Sequence, residues 1–179
     1  HKDKMGKRII SQARGKGSLT YQAKKSAFTR KIAYPLESGQ AEIIEIVHSA
    51  AHSAPLMKIK LNNRTTYLPA FNNAFVGQKI TVGTTEVAPG NVLHLKDIPI
   101  GTQIYNVERN PGDGGKMVRA AGTFTTVSKK QLKHVTLSMS GRRNNKKEVT
   151  LAEDCRATVG RIAGEGRTLK PFVTAGRKH

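Results

Sequence analysis

Apolar and polar positions along the chain fall into distinct regimes. From residue 6 to 34 Arg, Lys, Gly, Ser, Thr and Gln dominate, apolar residues are few and no period repeats. Such a stretch cannot bury enough surface to offset its ordering entropy, so it is expected to be disordered on its own. His1 to Lys4, which precede Met5, read as an added or upstream segment and are left out of the fold reading. From residue 37 the pattern changes. AEIIEIV at 41–47 is a short apolar run, and 56–61 alternates, with Met57, Ile59 and Leu61 on one face and Lys58 and Lys60 on the other. Residues 65–68, 79–82 and 103–107 fit further short strands. Turn signals separate them at Asn62-Asn63, Pro69, Gly77, Pro89-Gly90 and Gly101. Five strands in about seventy residues, with no sustained helical period, predict a small barrel such as an OB-fold.

Beyond residue 108 the strand pattern resumes at 119–127, 134–139, 148–151 and 156–162. Within it Val135, Leu137 and Met139 point one way while Thr136 and Ser138 point the other. That predicts a second small barrel and an all-β chain. Its parts are a basic arm (1–36), a first barrel (37–108), a second barrel (109–163) and a basic tail (164–179) that stops abruptly, as part of a longer chain would.

Charge sharpens this division. The chain of 179 residues has a formal net charge of +19. Residues 1–36 contribute +9, residues 37–108 contribute −1 and residues 109–179 contribute +11. Charge serving only solubility has no reason to avoid the middle, so both ends read as surface for a polyanion, with nucleic acid first. No long apolar run or basic amphipathic helix suggests a membrane partner. The single cysteine, Cys155, permits no intramolecular disulfide and suits a reducing compartment. The six histidines show no metal-ligand spacing, so no metal and no cofactor are expected.

The densest candidate chemistry lies at 108–123, ERNPGDGGKMVRAAGT, where a Pro/Gly/Asp-rich break precedes a cationic strand. Gly112, Gly114 and Gly115 would let the backbone approach a phosphate, with Arg109, Lys116 and Arg119 around the turn. The same stretch reads equally well as an interdomain hinge. In the arm, Arg14, Gly15, Lys16 and Gly17 alternate cations with glycines, and Tyr21, Phe28 and Tyr34 could stack on unpaired bases. SGRRNNKK at 140–147 predicts a hairpin loop carrying Arg142 and Arg143 to phosphates. Enzyme chemistry finds little support. PGDGGKM departs from the phosphate-loop pattern at Asn110 and Met117, and Cys155 follows Glu153 and Asp154, whose charges oppose a thiolate.

NVERNPGDGGKMVRAAGT (106–123), DCRATVG (154–160), GRTLKPFVTAGRKH (166–179) and MGKRIISQARGKGS (5–18) closely resemble the archaeal and eukaryotic branch of the second protein family of the large ribosomal subunit. The resemblance runs through nearly the whole chain from Met5. It implies an OB-fold followed by an SH3-like barrel, bound to ribosomal RNA among neighbouring ribosomal proteins in the cytoplasm. It also implies a role in supporting RNA near the peptidyl transferase region and subunit interface, without a small-molecule substrate. Two departures stand out. The family pattern HDPxRxAP is replaced by HSAAHSAP at 48–55, putting His52 where a forked arginine contact would be. The family's carboxy-terminal extension, with its own histidine, reads as missing here, so His179 is not expected to fill that role. On this reading Arg156, Arg161, Arg167 and Lys170 join the phosphate contacts, although the Arg156 stem could instead pack against the barrel. A free OB-type module for single-stranded nucleic acid, outside the ribosome, is the alternative.

Overall fold

The computed structural model describes residues 9–140 and 146–177. Ten strands follow in order: β1 (Gly39–Val47), β2 (Leu56–Leu61), β3 (Arg64–Pro69), β4 (Lys79–Val82), β5 (Val92–His94), β6 (Gln103–Tyr105), β7 (Thr125–Gln131), β8 (His134–Ser140), β9 (Lys146–Ala152) and β10 (Arg156–Val159). They form one continuous sheet in the order β3-β2-β1-β4-β5-β10-β6-β7-β8-β9. All neighbours pair antiparallel except β4 with β5, which meet in parallel at Val82 and Val92. The all-β expectation holds.

Alternation decides which residues face inward. In β2, Met57, Ile59 and Leu61 are buried and Lys60 is exposed, as its period of two requires. In β1 the register shifts between Ile43 and Glu45, a bulge that leaves Ile44 and Ile46 partly exposed although the run is apolar. Apolar side chains collect in two clusters. One joins β1 to β4 with Ile32, Tyr34, Phe71 and Tyr105; the other is built on Leu93, Leu95, Ile98, Ile104, Val127, Val135, Leu137 and Ala157. The second therefore begins with β5, which the sequence pattern missed because three residues are too short to show alternation.

Two expectations change. The strand placed at 119–127 starts only at Thr125: Val118 has φ 54° and residues 119–124 turn, with the Thr123 hydroxyl donating to the Ala120 carbonyl at 2.6 Å. The arm is also not without structure. Ile10–Gly15 forms the short helix α1, with every residue exposed, and Lys25–Phe28 makes a 3-10 turn. Its end is core: Ile32 bridges to Tyr67, and Tyr34 is buried with its hydroxyl 2.6 Å from the Asn106 carbonyl and 2.7 Å from Thr158 Oγ1. Tyr34 is thus unavailable for base stacking. After β10 the chain returns over the first cluster, where Ile162 bridges to Phe71 and the Ala163 amide donates to the Ala70 carbonyl.

Candidate nucleic-acid interface

Residues 106–122 fold as a knot held by two carboxylates. Glu108 is fully buried and accepts from the amides of Gly112 (3.3 Å), Gly114 (3.1 Å) and Arg156 (2.8 Å). Its Oε1 also takes the Arg156 guanidinium through Nε at 3.2 Å and Nη2 at 2.9 Å. Asp113 accepts from the amides of Arg109 (3.0 Å), Asn110 (3.1 Å) and Gly115 (2.9 Å). Burial acts to raise the Asp113 carboxyl, but those amides and the Lys116 charge outweigh it and hold the group below its ordinary value. A concave array of amides attracts an anion, and here the chain supplies both anions itself.

The glycines have a role within the fold itself. The amides of Gly112, Gly114 and Gly115 donate to Glu108 and Asp113, so this geometry turns them toward the chain's own carboxylates. Gly115 adopts φ +90°, and a Cβ there would lie 2.5 Å from Asn106 Oδ1 and 2.7 Å from the Asn106 carbonyl oxygen. A Cβ on Gly114 would meet the Ala33 backbone at 3.3 Å. The close approach that demands glycine is made by the chain's own backbone.

Arg156 likewise makes its contacts inside the fold. Its side chain is 13% exposed, its Nη1 donates to the Pro35 carbonyl at 2.7 Å, and its guanidinium lies 5.2 Å from the Tyr34 ring centroid. It ties arm, turn and β10 together from inside. The remaining expected cations lie nearer solvent. Lys116 is exposed; Arg119 is half-buried, with Nη1 donating to the Gly115 carbonyl at 3.3 Å. Burial lowers the Arg119 pKa, and the Arg119 charge adds to burial in lowering that of His52. His52 shares a 2.8 Å hydrogen bond with buried Ser49, and its lowered pKa keeps the imidazole neutral at neutral pH. Arg161 is half-buried, pairs with Glu165 at 2.9 Å and lies over Phe124 at 5.1 Å.

Farther out, Arg14 stands over the Tyr21 ring at 5.5 Å on α1, and Lys16 caps that helix with Gly15 before it and Gly17 after it. Arg167 and Lys170 are exposed at the 3-10 turn Glu165–Leu169 and just past it. Arg142 and Arg143 lie outside the described residues. The structure also assembles a group that sequence spacing does not reveal. Arg109 and Lys116 of the turn and Lys147 of β9 line one groove. The signal available was only that each belongs to a basic stretch.

Cys155 is fully buried, and its thiol is pushed up to about 11, by burial first, then by the charges of Glu108 and Asp113, with Asp154 a lesser contributor. The opposing charge comes chiefly from the knot rather than from the sequence neighbours. The thiol is protonated at neutral pH and is no nucleophile. No group of side chains able to hold a metal occurs among the described residues, and no helix there is long and apolar enough to cross a membrane.

Comparison with known proteins agrees with the resemblance seen in the sequence. The model of the family Ribosomal Proteins L2, C-terminal domain, matches residues 88–179. Large ribosomal subunit protein uL2 of Archaeoglobus fulgidus is 41% identical over 98% of this chain and 74% of its own length. The uL2 protein of Methanocella arvoryzae is 40% identical over 97% and 74%, and that of Sulfolobus acidocaldarius 36% identical over 98% and 74%. With that similarity running through both basic ends and the knot between them, the chain belongs to the large ribosomal subunit protein uL2 family.

Proposed function

We propose that the chain is a structural constituent of the large ribosomal subunit that binds ribosomal RNA and works in the cytoplasm among neighbouring ribosomal proteins. The observation that carries this is the 41% identity to an archaeal uL2 protein across 98% of the chain. The net charge of +19, concentrated at the two ends, supports a polyanionic partner. The family supports a position near the peptidyl transferase region and subunit interface, and the role there is architectural rather than catalytic. Arg14, Lys16, Lys116, Arg119, Arg161, Arg167 and Lys170 are the phosphate contacts, joined by Arg142 and Arg143 and by the exposed Arg109 and Lys147. The glycines and Arg156 act one step back, by fixing the knot that presents them.

On this reading the first barrel is an OB-fold and the second SH3-like. Two apolar clusters support two modules, and the start of the family match at residue 88 favours a boundary between β4 and β5 rather than at 108/109. Sedimentation tests the assignment. Tagged chain should travel with large subunits through sucrose at moderate salt; material that stays at the top while binding free single-stranded RNA would favour the non-ribosomal module.

A further inference from the structure

The inner face of β8 and β9 runs past the end of the second apolar cluster. Met139 pairs with Lys147 and Leu137 with Val149, so Met139 and Val149 continue the face that Leu137 begins, but they are only half-buried. Met117, bridged to Val107 and packed against the second apolar cluster, also lines this space, with Arg109, Asn110 and Lys116. The result is an open groove of about 620 Å³ with Met117, Met139, Val149 and Leu151 as floor and Arg109, Lys116 and Lys147 as rim. Among the described residues none of these three cations has a carboxylate at ion-pair distance, although Lys96, Lys129 and Arg161 do. The Asn110 backbone is tied to Asp113, while its side chain makes no hydrogen bond.

Apolar floor, three unpaired cations and an uncommitted amide point to an occupant that is flat and apolar in one part and anionic in another. Paired RNA offers phosphates but keeps its base faces stacked, so it would engage the rim and leave the floor wet. A protein segment would meet a rim of one sign and would need carboxylates to match it. Resting on the reading of this chain as an RNA-binding protein, we propose that the groove holds one unpaired nucleotide. Its base lies on Met117, Met139 and Val149, its flanking phosphates meet Arg109, Lys116 and Lys147, and Asn110 faces the base edge. Thioether side chains suit this because they adapt to a base face without demanding one sequence.

The test uses the full chain and two short RNA duplexes, one fully paired and one carrying a single unpaired 2-aminopurine. The bulged RNA should bind about five- to tenfold more tightly, and 2-aminopurine fluorescence should rise as the base leaves the stack. Met139→Gln and Val149→Thr should each remove the preference while leaving affinity for the paired duplex unchanged; Met139→Leu should keep it. Lys147→Ala should weaken both. Thermal melting of each variant shows that the fold is retained. Equal affinity for the two RNAs, or a Met139→Gln loss shared by both, would overturn the groove assignment while leaving RNA binding intact. Failure to bind either RNA in a salt-dependent way would instead remove the reading on which it rests.

Discussion

At the scale of single residues, the chemistry of the knot shows how a Gly-rich, cation-flanked turn can spend its amides on its own carboxylates. Each amide turned inward needs an acceptor, and Glu108 and Asp113 meet the turn amides readily because they lie within six residues of them in the chain. Gly115 makes the case testable. A Cβ there combines a left-handed backbone with an overlap against Asn106, whose own φ is 49° and whose buried side-chain amide has no hydrogen-bond partner among the described residues. Gly115→Ala should therefore lower unfolding free energy by roughly 2–4 kcal/mol. Gly112→Ala, with a similar φ of +82° but open space around the added atom, should cost only about 1 kcal/mol. Urea unfolding of the two variants reads the difference. Equal small losses would mean that Gly115 is kept for an external partner.

At the scale of elements, much of the strand pattern was legible because alternation is a local signal. β2, β4 and β8 lie where their apolar periods put them, while β5 and the late start of β7 depend on what packs against them. The site was legible as a set of cationic stretches and not as a geometry. Nothing in the sequence distance of 48 residues between Glu108 and Arg156 says that their side chains meet, nor that Lys147 lies across a groove from Arg109. The loop at 48–55 shows the same dependence on tertiary neighbours: His52 contacts Ser49 within the loop, Ser53 Oγ accepts from the Ala121 amide, and Arg30 donates to the His48 carbonyl. Titration of His52 in this loop and of Asp113 in the knot gives an acid limb in two steps. A group with a depressed folded pKa contributes stability above its unfolded pKa and loses it as pH falls toward the folded value. For His52 that loss begins below about 6.5, and for Asp113 below about 4. Thermal melting against pH should show both steps, and His52→Gln should abolish the first alone. An unchanged upper step in that variant would assign it to another histidine.

At the scale of the whole molecule, cations divide into those that hold the fold and those that face a partner, and salt dependence separates them. Arg156 and Lys116 carry the same formal charge, yet one is 13% exposed and spends its guanidinium on Glu108 and Pro35, whereas the other is exposed beside the groove. Counterion release counts only phosphates that are touched, so each lost contact lowers the slope of log affinity against log salt by about 0.7–0.9. With six to ten contacts the intact chain should lose roughly 10³ to 10⁵ in RNA affinity between 50 and 200 mM salt. Lys116→Ala should reduce that slope by nearly one. Arg156→Gln removes the same unit of charge from the molecule but should leave the slope unchanged while costing about 3–5 kcal/mol of stability, because Glu108 keeps its backbone donors but is buried without a counter-charge. Affinities measured by filter binding across that salt range, at a temperature where both variants remain folded, decide the matter. A slope that falls equally in both would mean that the Arg156 guanidinium leaves Glu108 to meet RNA. The knot would then be a switchable anion site rather than a fixed support.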